Sequence, residues 1–164
     1  MTHPFDVLAL DNGASFIFTP CPGTQEVSLA DSVATLKAQQ ADAVISLLSD
    51  HELDELGVPT LGQQITAQGM AWYQLPIEDF QAPEQPFFDA FLPVKDELLE
   101  RLSTQQTIVI HCRGGSGRTG LMAAILLLES GQSWAQVKPL IQGIRPKALT
   151  LEPHVNFFIQ QYSI

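Results

Sequence analysis

The stretch Ile108-Val109-Ile110-His111-Cys112-Arg113-Gly114-Gly115-Ser116-Gly117-Arg118-Thr119-Gly120 runs an apolar strand of the buried type into a glycine-rich turn that opens a helix. It reads as an anion-binding loop with a thiol in it. Glycines at 114, 115 and 117 let the backbone curl so that successive N–H groups point at one spot, and the helix behind them adds the positive end of its dipole. Cys112 at the head of the turn sets a thiol beneath the anion. Arg118, six positions on, sets a planar five-donor guanidinium beside it.

Strands and helices alternate along the rest of the chain. Apolar runs at 5–10 and 15–19 flank Asn12-Gly13, the strongest short hairpin signal, and predict an N-terminal β-hairpin closed by Pro20-Cys21-Pro22-Gly23. Ser28, with Asp31 three positions on, starts a helix that carries Leu29, Val33 and Leu36 on one face and ends near Gln40. Residues 43–48 predict a buried strand, 51–56 a short polar helix stopped by Gly57 and Pro59, 60–68 a helix ended by Gly69, and 71–75 a strand. That strand enters Pro76-Ile77-Glu78-Asp79-Phe80-Gln81-Ala82-Pro83, a loop bounded by prolines. From 84 to 102 the apolar spacing is helical, with Phe87, Phe88 and Phe91 in the core and Pro93 kinking or splitting the helix. After the strand at 107–111, residues 118–130 make an almost wholly apolar helix that belongs at the centre of the molecule. Ser133 starts a further helix to about Gly143, and Thr150 or Leu151 the last one. This alternation predicts an α/β protein with a mostly parallel central sheet flanked by helices, and 164 residues suit a single domain over 1–164.

Two nucleotide-binding readings of the loop fail on context. Gly115-x-Gly117-x-x-Gly120 fits the dinucleotide fingerprint, but that unit needs a second parallel strand ending in an acidic residue about 20 positions on. Here that region predicts a helix, and Glu129 lies inside another. A Walker loop needs Lys-Ser or Lys-Thr after its last glycine, and Arg118-Thr119 stands at the wrong spacing.

His111-Cys112, five residues, then Arg118-Thr119 resembles the active-site loop of the cysteine-dependent phosphatases in its dual-specificity version. Pro76-Ile77-x-Asp79 with Pro83 resembles the general-acid loop of the same enzymes. Pro22-Gly23, Glu52-Leu53, Val58-Pro59-x-Leu61, Gly69 and Asn156 resemble the kinase-associated phosphatase (cyclin-dependent kinase inhibitor 3) branch, so the resemblance spans roughly 16–158. Chain order sets aside the low-molecular-weight phosphatases, whose cysteine loop lies near the N-terminus, and rhodanese-type loops are shorter.

The resemblance implies the cysteine-phosphatase fold and hydrolysis of phosphomonoesters through a cysteinyl-phosphate, with no metal and no cofactor. Cys112 is then the nucleophile, its thiolate favoured by loop N–H groups, the helix N-terminus and Arg118. Arg118 holds two phosphate oxygens, and the backbone from Arg113 through Gly114, Gly115, Ser116 and Gly117 holds the rest. Asp79 protonates the leaving oxygen and later takes a proton from the attacking water; its neighbour Glu78 is the alternative acid. Thr119 donates to the Cys112 sulfur, and His111 braces the loop from beneath. The glutamine that positions the hydrolytic water in the family aligns with His154, a departure from the pattern. Glu52 is either a helix-face charge or the partner of an arginine near the loop, and Cys21 reads as an inert thiol in a turn rather than a redox partner of Cys112.

The formal charge of −10 disfavours nucleic acid and anionic membrane as partners. The first residues carry no basic region followed by an apolar core, and no run approaches membrane-spanning length, so a cytoplasmic protein is expected. Two cysteines make no disulfide framework. The expected partners are a phosphorylated protein substrate and, at the loop, phosphate or vanadate-like anions. A catalytically silent phospho-binding module and a phosphatase acting on a non-protein phosphate are the rival readings.

Overall fold

The computed structural model describes residues 2–164 and contains strands β1 (Asp6–Ala9), β2 (Ser15–Thr19), β3 (Ala43–Ser46), β4 (Ala71–Gln74) and β5 (Thr107–His111). They form one sheet in the order β1-β2-β5-β3-β4, antiparallel only between β1 and β2. Ile108, Val109 and Ile110 have no exposed surface, which a strand achieves only with neighbours on both edges and cover on both faces; β5 accordingly takes the middle of the sheet. The N-terminal hairpin forms as expected. Five residues, 10–14, connect its strands. Asn12 accepts from the Ala14 N–H at 3.0 Å and donates to the Leu102 carbonyl at 2.9 Å, so its amide closes the turn and ties it to the body of the protein.

Helices α1 (Leu29–Ala38), α2 (Asp50–Glu55) and α3 (Leu61–Ala67) follow the predicted segments, the first two capped by Ser28 and Ser49. The long segment from 84 splits as Pro93 requires, into α4 (Gln85–Phe91), a 3-10 turn at Leu92–Val94 and α5 (Lys95–Ser103). Phe87 and Phe91 are buried with their rings 5.2 Å apart, and Phe88 packs edge-on against Phe87. Helix α6 (Gly117–Glu129) is buried from Arg118 through Leu127 and packs on β5, α5 and α7 (Trp134–Gln142), while α8 (Glu152–Tyr162) closes the chain. Strand β3 stops at Ser46, short of the expected 48, although the Leu47 N–H still donates to the His111 carbonyl at 3.1 Å before the chain turns into α2.

All four parallel strands point the same way, so their carboxyl ends meet at one edge. From that edge β2 leads to Cys21, β3 to Glu52, β4 to the acid loop and β5 to Cys112. Crevices of this kind, outside the carboxyl ends of strands, are where open α/β sheets bind ligands.

Candidate active site

Beyond β5 the chain bends through 113–116 and enters α6 at Gly117 with no side chain capping the helix. Its first N–H groups are thus left to the pocket above. Gly115 sits at φ +81°, and a Cβ there would lie 2.6 Å from the Thr19 carbonyl carbon and 2.7 Å from Pro20 N. The turn can be this tight against β2 only because position 115 has no side chain. Cys112, 4% exposed, has its sulfur 3.2 Å from both the Gly115 N–H and the Thr119 hydroxyl, two donors that converge on it from the loop and the first turn of α6.

Arg118 is held by one nitrogen. Its Nη1 donates to both carboxylate oxygens of Glu52, at 2.8 and 3.1 Å, and to the Ile77 carbonyl at 2.9 Å. Its Nε and Nη2 are buried with no hydrogen-bond partner among the described residues. That edge of a guanidinium carries two parallel donors, the geometry that grips two oxygens of a phosphate. Of the two readings of Glu52, the structure shows the ion pair. Asp79 Oδ1 lies 3.6 Å from Arg118 Nε, beyond hydrogen-bond range, with its carboxyl 45% exposed. Asp79 lines the same pocket of about 280 Å³ as Cys112, Arg113, Arg118 and His154, whereas Glu78 does not. Phe80, at φ +64° and largely exposed, and Leu151 give this pocket an apolar rim.

Beneath the loop His111 is fully buried in a chain of consistent hydrogen bonds. Its Nδ1 donates to the Cys112 carbonyl at 3.1 Å, its Nε2 accepts from the Ser46 hydroxyl, and Ser46 accepts from the Trp72 indole at 2.8 Å. Ser46 and Thr19 stand level with His111 on the strands either side of it. Trp72 in turn lies flat on Gly62, where a Cβ would fall 2.4 Å from its ring. Burial pushes the His111 imidazole down to about 4, with the Cys112 carbonyl opposing and His3 and Arg118 reinforcing. Between its ordinary 6.5 and that value the unfolded chain binds the proton and the folded one does not. Stability is therefore complete above about 6.5 and falls as pH drops toward 4, by roughly 3 kcal/mol for this group. Denaturant unfolding at pH 7 and pH 4.5 reads the loss, and His111→Asn flattens the slope.

Arg145 is a site residue that the sequence did not point to. Its Nε donates to the Gly115 carbonyl at 2.8 Å, its Nη1 to Asp6 at 2.8 Å, and its guanidinium lies over the Phe18 ring. Pulling the Gly115 carbonyl outward turns the following N–H toward the anion spot. No local pattern marks this residue; it reaches the loop only because the segment after α7 folds back over the hairpin. Cys21 is buried, donates weakly to the Pro22 carbonyl and is bonded through its N–H to the Arg113 carbonyl at 3.0 Å. Burial pushes its thiol up to about 12, with Cys112 and Glu52 adding to the shift, in keeping with an inert turn cysteine. His154, on α8, is 1% exposed and its Nε2 lies 2.9 Å from the Gln81 carbonyl.

Residues 22–132 match the family described as "Polymorphic toxin system, DSP-PTPase phosphatase". The chain is 28% identical over 91 residues to the probable protein tyrosine phosphatase type IVA B of Dictyostelium discoideum and spans about half the length of that relative, 55%. The kinase associated phosphatase, with serine replacing its catalytic-site cysteine, superposes with a TM-score of 0.85 at 22% identity, over 99% of this chain and 97% of that one. Tk-PTP in its active form gives a TM-score of 0.72 at 24% identity, over 96% of each chain. Both structures share the fold of this chain.

Proposed function

The chain belongs to the DSP-PTPase phosphatase family, and from that membership we propose that it hydrolyses phosphomonoesters on proteins through a cysteinyl-phosphate. The observation that carries this reading is the free Nε–Nη2 edge of Arg118 beside a doubly hydrogen-bonded Cys112 sulfur. Phosphate would bind with two oxygens on that edge and the others on backbone N–H groups from Arg113 to Gly117, as would vanadate. Cys112 attacks phosphorus from below. Asp79 protonates the departing oxygen, Thr119 eases the later departure of the sulfur, His111 braces the loop, and His154 positions the water of the second step. The rim of Phe80 and Leu151 suits an aryl phosphate, which makes phosphotyrosine the favoured substrate. Two free thiols, one of them the nucleophile, suit a reducing cytoplasm.

Initial rates on phosphotyrosine and phosphothreonine peptides, with a phosphoinositide control, test the substrate class. Turnover of the peptides is expected; preference for the phosphoinositide would overturn the protein assignment, and tight phosphopeptide binding without hydrolysis would favour a recruiting module. The acid role is tested separately. Asp79→Asn should slow alkyl phosphates by about 10²-fold or more and activated aryl phosphates far less, because only a poor leaving group needs the proton. Equal losses would reassign Asp79.

A further inference from the structure

Resting on the phosphatase reading, we infer that His3 is a positioning residue of the phosphate loop: through the Thr19 hydroxyl it sets the backbone on which Gly115 rests. His3 stands in the irregular segment ahead of β1, yet it has no exposed surface. The hairpin register, with Asp6 opposite Phe18, runs that segment alongside Thr19 and Pro20. There the His3 Nε2 is hydrogen-bonded to the Thr19 hydroxyl, which lies 3.0 Å from the carbonyls of both Pro4 and Pro20. A hydroxyl has one hydrogen and carbonyls only accept, so that hydrogen goes to a carbonyl and Nε2 donates to the hydroxyl oxygen. The Nδ1 atom is then a lone pair, buried and without a hydrogen-bond partner among the described residues.

Residues 19–21 meet the phosphate loop twice. The Cys21 N–H donates to the Arg113 carbonyl at 3.0 Å, and the backbone of Thr19 and Pro20 is what a Cβ at Gly115 would strike. Gly115 in turn donates its N–H to the Cys112 sulfur at 3.2 Å. Proline has no N–H with which to continue the ladder, so at Pro20 the bonds made by Thr19 and His3 anchor the turn in its place. Packing alone does not account for the imidazole. A buried nitrogen without a partner is costly, and an apolar ring would fill the slot without one. The ring is neutral at pH 7, because burial lowers its pKa from the ordinary 6.5, with the Pro20 carbonyl opposing. The titratable group that feels it is His111, whose protonation His3 disfavours. His111 pairs with Thr19 across the sheet and holds the Cys112 carbonyl, so the two imidazoles brace adjacent parts of the loop.

Calorimetry with inorganic phosphate, turnover of p-nitrophenyl phosphate and amide hydrogen exchange at 113–117 test this role. His3→Ala should weaken phosphate binding and lower kcat by about tenfold each, and speed exchange at Gly115. His3→Phe fills the slot without a donor and should show the same losses. His3→Gln, whose amide nitrogen can reach the Thr19 hydroxyl, should return to within about threefold of the wild type. Thr19→Val removes the hydroxyl and keeps a branched side chain; it should reproduce the loss, and adding His3→Ala to it should cost little more. Wild-type phosphate affinity in His3→Phe, or full additivity of the Thr19→Val and His3→Ala losses, overturns the positioning role. A lower Tm in His3→Ala with phosphate binding and loop exchange unchanged overturns it as well, since His3 would then only stabilise the fold. Absence of turnover in a wild type that binds phosphate overturns the phosphatase reading instead, and binding and exchange still decide the role of His3.

Discussion

Cys112→Ser is expected to abolish turnover of an aryl phosphate, by roughly 10⁴-fold or more in kcat, while phosphate still binds. The serine hydroxyl keeps its proton at neutral pH, so the nucleophile is lost. The groups that would hold the anion are not: the Arg118 edge, the uncapped start of α6 and the loop N–H groups all lie outside the substituted atom. Steady-state rates together with phosphate binding by calorimetry separate the two properties. Undiminished turnover would sink the covalent mechanism, and joint loss of turnover and binding would mean that the loop had collapsed. His111 and Arg145 argue against collapse, since each grips a loop carbonyl independently of the sulfur, that of Cys112 at 3.1 Å and that of Gly115 at 2.8 Å.

Arg118→Lys should lower kcat on the same substrate by about 10³-fold and weaken phosphate binding. The substitution keeps the charge, so an ammonium can still pair with Glu52 in place of Nη1. It has no second edge. Once a lysine nitrogen sits against Glu52 and the Ile77 carbonyl, nothing replaces the Nε and Nη2 donors, which act as a pair on two oxygens and gain strength as charge builds on them in the transition state. Near-normal activity would show that charge alone matters and that the fork geometry does not. Glu52→Gln is the companion measurement: it leaves an acceptor for Nη1 and should cost far less than loss of the arginine.

Much of the fold was legible. The alternation of short apolar runs with helical spacings led to a mostly parallel sheet, Ser28 capped its helix as its spacing with Asp31 suggests, and Pro93 split the segment in which it stands. Asn12-Gly13 led to the hairpin that forms, but not to the bond from the Asn12 amide to the Leu102 carbonyl, a partner that sequence cannot supply.

What the sequence determined by itself is the loop from Cys112 to Thr119. A strand, a glycine turn and a helix start are covalently consecutive, so the order of the residues already sets the sulfur, the loop N–H groups and the arginine close together along the chain. Tertiary structure decided which edge of that guanidinium is free. Glu52 comes from the end of β3, and its place beside Arg118 depends on β3 being the neighbour of β5, which burial of the whole sheet selects. The same holds for Ser46 under His111, for Arg145 on the Gly115 carbonyl, and for the Gln81 carbonyl at His154 Nε2. Each lies far along the chain from its partner, and chain spacing carries no information about which strands and helices will pack side by side.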